Sequence, residues 1–425
     1  MMSLWRLGVN MLNSLPNRRF TITVKKIGAF LCGWYFLFAY ISCSSLVPQA
    51  ITKGFLYSTV LLGLFVFVYK HILTNLYIKW YCILLLLSFF SAITLDVFCN
   101  KTDWFVTIYQ MLIVLLLANA LTMFIDTIED VKKIGIMHVV GAVCLMGLLL
   151  FTGELHVDER LGTTATGNAN TFATMFMVAL MYAIWISIFE SKVVMKILFS
   201  LAAVIIMYGL LLSGGRKFII APIIFMYTIL MFKEDSKGRK HIIVSSLLIV
   251  SVVVGLWLCM LNIPELYQSV GWRMEAYINS ITGHGIADGS SILRKKLRFL
   301  AFIEGTNSPI FGHGFDSFKY LASDKLNFYA YSHNNWTEMW YNGGIIGLIV
   351  YYYIYIKILV NGWKCRAKCQ AVGLFCVACV ISLFVLEYGA VTYFQNQIQL
   401  LLCICVILLN CVEKGDCIDV NQNSF

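Results

Sequence analysis

Residues 193–232 read VVMKILFSLAAVIIMYGLLLSGGRKFIIAPIIFMYTILMF, two apolar runs on either side of the short polar break Ser213–Lys217. A helix that crosses a membrane needs about 20 mostly apolar residues, and both runs approach that length. The same alternation of long apolar runs and short polar breaks extends through most of the 425 residues. The pattern predicts consecutive membrane-spanning helices.

The overall composition supports a membrane protein. Apolar residues make up 60% of the chain and charged residues 13%, and the mean hydropathy is +0.80, whereas a soluble domain carries about 25% charged residues. We therefore predict an all-α polytopic membrane protein that forms one transmembrane domain, 1–425, because no Gly/Ser or Pro linker divides it. Twelve spans are predicted near 27–47, 54–69, 77–98, 104–124, 134–152, 169–189, 193–212, 217–232, 241–262, 336–361, 370–390 and 396–412.

The positions of Lys and Arg predict the orientation. With a cytoplasmic N-terminus, the inner segments hold 18 of these residues and the short outer loops hold five. Positively charged loops stay on the cytoplasmic side, so both termini are predicted to be cytoplasmic and 263–335 forms a large outer loop. The net charge of +10 is dispersed among these short clusters, a pattern that argues against nucleic-acid binding.

The sequence contains no recognisable motif for binding a cofactor or a metal ion. There is no HExxH and no P-loop, the histidines are scattered, and no cysteine lies between Asn262 and Trp336. Cys376 and Cys379 form a CxxC inside an apolar segment, where packing explains them better than redox chemistry. We predict no cofactor, no metal site and no disulfide framework in the loop.

The break Ser213–Lys217 is the first group of residues with possible chemistry. Its two glycines allow a sharp turn that leaves Arg216 and Lys217 at the membrane face, where they could bind an anion or anchor to lipid headgroups. Glu387, at a predicted helix end on the same side, is interpreted as a solvated carboxylate.

The second group is the amphipathic run LRKKLRFLAFI, 293–303, in the large loop. It is predicted to form either an interfacial helix attracted to anionic lipid or a diphosphate clamp, for which the planar guanidinium is well suited. Arg273, earlier in the loop, is predicted to bind substrate. One face of the run holds Leu293, Leu297, Leu300 and Ala301, and another holds Arg294 and Arg298, one turn apart.

The third group is His333-Asn334-Asn335, followed by Glu338 at the start of the tenth span. An asparagine there is a good helix N-cap, and a histidine titrates near neutral pH, so it could accept a proton from a sugar hydroxyl. A purely interfacial histidine explains the position equally well. Asn170, in Gly167–Asn170 at the start of the sixth span, either contacts a glycan or caps that helix.

Together these groups resemble the O-antigen polymerase and O-antigen ligase superfamily of bacterial inner-membrane glycosyltransferases. The strongest match is His333-Asn334, then nine residues, then Gly344 and Gly347. Arg216 in LSGGRK, Arg294, and SPIFGHGFDSF match three further motifs, and Gly167–Asn170 resembles a fourth, with Ala169 in place of the usual proline.

The resemblance implies a GT-C-like fold that transfers a glycan from undecaprenyl diphosphate to an acceptor hydroxyl on the periplasmic face, without a metal ion. Its partners are the lipid-linked oligosaccharide donor and acceptor and the bilayer, with a chain-length regulator as a further candidate. The resemblance assigns catalysis to His333, Arg216 and Arg294, and we predict substrate binding by Lys217, Arg298, Arg273, Asn334, Glu338 and Asn170.

Three other functions stay open at this level. An O-antigen ligase would transfer the glycan to lipid A-core, and a protein O-oligosaccharyltransferase would transfer it to a protein. A polysaccharide transporter predicts ionisable residues near the bilayer midplane and internal repeats, neither of which the sequence shows. The Tyr-, Phe- and Cys-rich composition and Gly312-His313-Gly314 favour the polymerase by analogy.

Overall fold

The computed structural model describes residues 18–70, 75–94, 102–155, 161–163, 168–233, 239–282 and 289–416, and the fold is helical throughout these ranges. Gly167, in the predicted segment Gly167–Asn170, lies outside them. The helices that we number are α1 Arg18–Ile41, α2 Gln49–Lys70, α3 Leu76–Thr94, α4 Thr102–Phe124, α5 Ile128–Thr152, α6 Ala169–Phe189, α7 Val193–Leu212, α8 Arg216–Phe232, α9 Arg239–Asn262, α10 Trp272–Ile281, α11 Gly289–Gly305, α12 Phe318–Leu326, α13 Asn335–Cys365, α14 Gln370–Glu387 and α15 Asn396–Glu413.

A helix coincides with each of the twelve predicted spans over most of its described residues, so the prediction of a polytopic membrane protein is confirmed. Among the described residues, ten helices are long and apolar enough to cross a membrane. The other two are α3, whose apolar part is Leu76–Ser91, and α8, with 17 residues. The predicted short eighth span is thus observed, and α13 is longer than predicted because it continues to Cys365.

The centre of the bundle is formed by α6, α14 and α15, which are mostly buried, whereas α2 and α9 lie at the periphery. The sequence of α6 is apolar on every side, which is typical of a helix surrounded by others. Its Trp185 is fully buried and donates a 3.0 Å hydrogen bond from Nε1 to the carbonyl oxygen of Ala371 in α14. This contact satisfies the indole N–H inside an apolar core.

The segment between α9 and α13 is docked on the bundle. A helical turn, Pro264–Leu266, and a π-helical turn, Tyr267–Gly271, lead into α10. Further along, the backbone N–H of Phe315 donates to Ser91 Oγ of α3 at 3.1 Å. Thr107 Oγ1 of α4 donates to the carboxylate of Asp316 at 2.8 Å. Because these donors belong to spanning helices, the predicted loop is fixed against the same end of the bundle as the start of α4.

A kink in α13 receives part of this segment. Gly344 interrupts the helix with φ 58° and ψ −155°, a conformation that only glycine adopts readily. The chain at Pro309–Gly314 runs beside the kink, where the N–H of Ile345 donates to the carbonyl of Pro309 at 2.9 Å and the N–H of Gly314 donates to that of Asn342 at 2.9 Å. The glycines of α13 therefore admit the protein's own loop.

Candidate functional site

The turn between α7 and α8 places Arg216 at the first position of a helix. Ser213 Oγ accepts a hydrogen bond of 3.3 Å from the N–H of Gly215, and Gly214 has φ +66°, the left-handed conformation that favours glycine. A Cβ at Gly215 would lie 3.2 Å from the Cβ of Ala173. The two glycines thus allow the tight turn that the sequence predicted, and the turn packs against α6.

Arg216 joins three parts of the site through one guanidinium group. Its Nη1 donates to the carbonyl oxygen of Arg273 at 3.0 Å, and its Nη2 donates to Ser291 Oγ at 3.3 Å. Its guanidinium carbon lies 5.7 Å from the ring centre of Tyr277. Since Arg273 belongs to α10 and Ser291 to α11, Arg216 connects α8 to both helices of the large loop.

Helix α11 turns its arginines toward the same region. Leu297 and Ala301 are fully buried, while Arg294 and Arg298 are half-buried. The guanidinium of Arg298 lies 4.8 Å from the ring centre of Tyr388, directly after α14. The predicted separation of an apolar face from an arginine face is confirmed.

Lys217 extends from α8 to the chain after α14. Its Nζ donates a hydrogen bond to the carbonyl oxygen of Gly389 and lies 5.0 Å from the ring centre of Phe218. A lysine is a compact point charge on a flexible stem, so it can hold this carbonyl and still present its charge to a neighbouring anion.

His333 is held in an uncommon backbone conformation, with φ +57°. The left-handed region is sparsely populated by residues other than glycine, and the surrounding structure has to stabilise it. Ser332 supplies two of the bonds: its N–H donates to Glu338 Oε2 at 2.7 Å, and its Oγ donates to the carbonyl of Asn334 at 2.8 Å. Asn334 caps α13 by accepting from the N–H of Thr337 at 3.0 Å. The turn therefore presents the imidazole at a defined position.

The cations of α8 and α11 lie close enough to act on this imidazole. Burial, together with the positive charges of Lys217, Arg294 and Arg298, lowers the pKa of His333 to about 4. A histidine in these surroundings is neutral at physiological pH. Four residues predicted from three separate stretches of sequence thus lie near one another.

The remaining predicted residues border this cluster. Asn334 donates from Nδ2 to the carbonyl of Tyr388 at 3.1 Å, and Glu338 is fully buried beneath the His333 turn. Asn170 lies one helical turn from Ala173, which faces the α7–α8 turn, and its N–H donates to Asn168 Oδ1 at 2.8 Å. Roles in substrate binding for these residues, and for Arg273, stay predictions.

His313, a second histidine of the large loop, packs against neighbouring residues. His313 Nε2 lies 2.9 Å from the carbonyl oxygen of Glu304, and its ring stacks on Tyr341 with centroids 4.6 Å apart. Its contacts are therefore those of a packing residue. Over the residues that the structure describes, no group of three or more His, Cys, Asp or Glu side chains could hold a metal ion.

The contribution of the chain after α14 to the site was not predicted from the sequence. Glu387, interpreted there as a solvated carboxylate, is fully buried and hydrogen-bonded to tyrosines, and that interpretation is wrong. A signal was present, because Tyr351, Tyr352 and Tyr355 place three hydroxyls within one span, and polar groups in a membrane need partners. The residues after Glu387 contact Lys217, Arg298 and Asn334, which no motif indicated.

Residues 201–352 match the family described as O-antigen ligase. The chain carries a domain of the O-antigen ligase/polymerase family. The matched range runs from α7 into α13 and contains every predicted site residue except Asn170. No curated protein matches the chain. Members of this family are membrane enzymes that transfer glycans in lipopolysaccharide and polysaccharide synthesis.

Proposed function

We propose that this O-antigen ligase/polymerase family protein is a polysaccharide polymerase that uses undecaprenyl-diphosphate-linked repeat units. The observation that carries the proposal is that Lys217, Arg298 and Asn334, the neighbour of His333, all contact residues 388–389. These two cations and Arg294 also act electrostatically on the half-buried His333. A cluster of cations beside one neutral base fits a reaction that releases a diphosphate and removes a proton from an alcohol.

The cations would stabilise the leaving group. As the bond between the anomeric carbon and the diphosphate oxygen breaks, both electrons stay with that oxygen and its negative charge increases. Guanidinium groups hold phosphate oxygens in pairs, and cations fixed in advance stabilise such charge without reorganising. In the proposal, Arg216 and Arg294 supply the positive charge, with Lys217 and Arg298 beside them. Hydrogen bonds to α10 and α11 hold Arg216 in place. The proposal assigns no metal ion, since these groups provide the positive charge.

His333 would receive the proton of the attacking hydroxyl. A pKa of about 4 means that the free imidazole is unprotonated but only weakly basic. Part of that depression comes from the neighbouring cations, so a bound diphosphate, whose negative charges offset them, raises the basicity of His333. The base would then become effective when the donor is in place.

The proposal of a polymerase, as opposed to a ligase, is supported by the aromatic-rich composition and by Gly312-His313-Gly314. Deletion of the gene distinguishes the two. Loss of a polymerase leaves single repeat units and no ladder of chain lengths on a gel. Loss of a ligase leaves long chains on undecaprenyl diphosphate and none on lipid A-core. The second result would reject the polymerase in favour of the ligase.

We also propose that the site faces the periplasm and that both termini are cytoplasmic. The support is the excess of Lys and Arg in the opposite set of loops. A reporter enzyme that works only in the periplasm should be active when it is fused after residue 300. A reporter that works only in the cytoplasm should be active when it is fused after Lys414. The reverse result would overturn the orientation.

A further inference from the structure

Glu387, the last residue of α14, is surrounded by hydroxyl groups. Its side chain is fully buried, although a carboxylate is costly to bury unless it is hydrogen-bonded. Its two oxygens offer about four acceptor directions, and four hydroxyls donate to them. Oε1 accepts from Tyr351 at 2.8 Å, from Tyr355 at 2.5 Å and from Thr392, and Oε2 accepts from Tyr352 at 2.9 Å.

This network closes a short loop of chain. Glu387 precedes residues 388–391 and Thr392 follows them, and the two side chains bond to each other. The N–H of Thr392 also donates to Asn335 Oδ1 at 3.0 Å, and Asn335 Nδ2 lies 3.4 Å from the hydroxyl of Tyr352. Both ends of the 388–391 segment are therefore fixed to one carboxylate and to the first turn of α13.

The 388–391 segment touches three predicted site residues. The carbonyl of Tyr388 accepts from Asn334, next to His333, and the ring of Tyr388 lies beneath the guanidinium of Arg298. The carbonyl of Gly389 accepts from Lys217. These three residues belong to three different elements of the fold. A displacement of the segment would therefore move a contact partner of each of them at once.

We propose that Glu387 is a positioning residue, which holds the 388–391 segment so that Lys217 and Arg298 are correctly placed for the diphosphate of the donor lipid. The inference rests on the proposed function, since the diphosphate is the group that these cations would bind. Glu387 has no contact with substrate in this account. It acts through the carbonyl of Gly389 and the ring of Tyr388.

The test is the affinity of the purified full-length protein for undecaprenyl diphosphate, measured by ligand titration in detergent micelles. Glu387→Gln keeps the size of the side chain but replaces an acceptor oxygen with an NH₂ donor that faces hydroxyls. We expect binding of undecaprenyl diphosphate to weaken about tenfold, because a displaced cation would lose one contact with the diphosphate. Unchanged affinity of Glu387→Gln would overturn the proposal.

Two variants serve as comparisons. Tyr352→Phe removes a single hydroxyl while keeping the ring that stacks on Trp336 at 4.0 Å, and we expect a smaller weakening in the same direction. Glu190→Gln changes a glutamate at the opposite end of the bundle that pairs with Lys132, and affinity should stay at the wild-type value. If Glu387→Gln cannot be purified, Tyr352→Phe decides, and wild-type affinity in that variant overturns the proposal.

A double variant separates positioning from general damage. If Glu387 acts partly through Lys217, then Glu387→Gln combined with Lys217→Met should lose less affinity than the product of the two single losses. Losses that multiply fully would contradict the proposal. A wild-type protein that does not bind undecaprenyl diphosphate would instead reject the proposed function, so the two failures are distinct.

Discussion

Arg216 Nη2 donates a 3.3 Å hydrogen bond to Ser291 Oγ, so the first residue of α8 is tied to the helix that carries Arg294 and Arg298. The same guanidinium holds the carbonyl of Arg273. Two arginine motifs that lie about 80 residues apart are thereby linked to each other.

Arg216→Ala should abolish long-chain polysaccharide in a deletion strain that carries the variant gene, with the protein still present in the membrane fraction. Arg216→Lys should restore activity only in part, because an ammonium group cannot reproduce the two directed hydrogen bonds that a planar guanidinium makes. Lys196→Ala, near the opposite end of α7, is the matched control and should give a normal ladder on a gel. A normal ladder from Arg216→Ala would remove this residue from the site.

His333 should make the folded protein sensitive to acid. Its folded pKa, about 4, lies below the unfolded value of about 6.5, so below pH 6.5 the unfolded state binds the proton more readily. The contribution of neutral His333 to the free energy of unfolding is complete above about pH 6.5 and is lost as the pH falls toward 4. Between pH 7.5 and 5, the Tm of wild type should therefore fall further than that of His333→Gln. Parallel Tm curves for the two proteins would contradict the depressed pKa.

Gly312→Ala should lower thermal stability. Gly312 has φ +70°, and a Cβ there would lie 2.5 Å from backbone atoms of Asn342. The left-handed conformation alone costs a residue with a side chain about 1–2 kcal/mol, and the clash adds to this cost. Gly255→Ala is the control, since its Cβ would meet nothing within 4 Å and alanine favours a helix. The Tm should fall in the first variant only, and an equal Tm would mean that the loop does not pack into the kink as described.

Lys319→Met should destabilise the docked loop by about 3–5 kcal/mol, the usual effect of leaving one partner of a buried ion pair alone. Lys319 Nζ lies 2.7 Å from the carboxylate of Asp316, and both side chains are at most 5% exposed. Burial raises the pKa of Asp316, so at pH 5 protonation removes part of the penalty and the Tm difference should be smaller than at pH 8. Lys325→Met, on the exposed side of α12, should leave the Tm unchanged. A Tm difference that grew toward pH 5 would contradict this account of the pair.

The spans could be predicted because a helix in hydrocarbon is recognised from its apolar length alone. The arginine face of α11 could be predicted because residues one turn apart share a face. Both features depend on local sequence, and each of the twelve predicted spans coincides with a helix over most of its described residues.

The contacts around Glu387 could not be predicted in the same way. A carboxylate at a helix end looks the same in sequence whether it meets water or tyrosines from another helix. Its environment depends on the packing of α13 against α14, which brings Tyr351 and Tyr355 to it from more than 30 residues away. The kink at Gly344 likewise depends on a loop that inserts from elsewhere in the chain.

The central claim is that the cations near His333 hold a lipid diphosphate, and Arg294 tests it most directly because a matched neighbour lies beside it. Arg294 is half-buried within reach of His333, while Lys295 is exposed on another face of α11. The measurement is the dissociation constant of undecaprenyl diphosphate for Arg294→Ala and Lys295→Ala, each purified at full length. We predict a weakening of about tenfold or more for Arg294→Ala and wild-type affinity for Lys295→Ala. Equal affinities in the two variants would contradict the account.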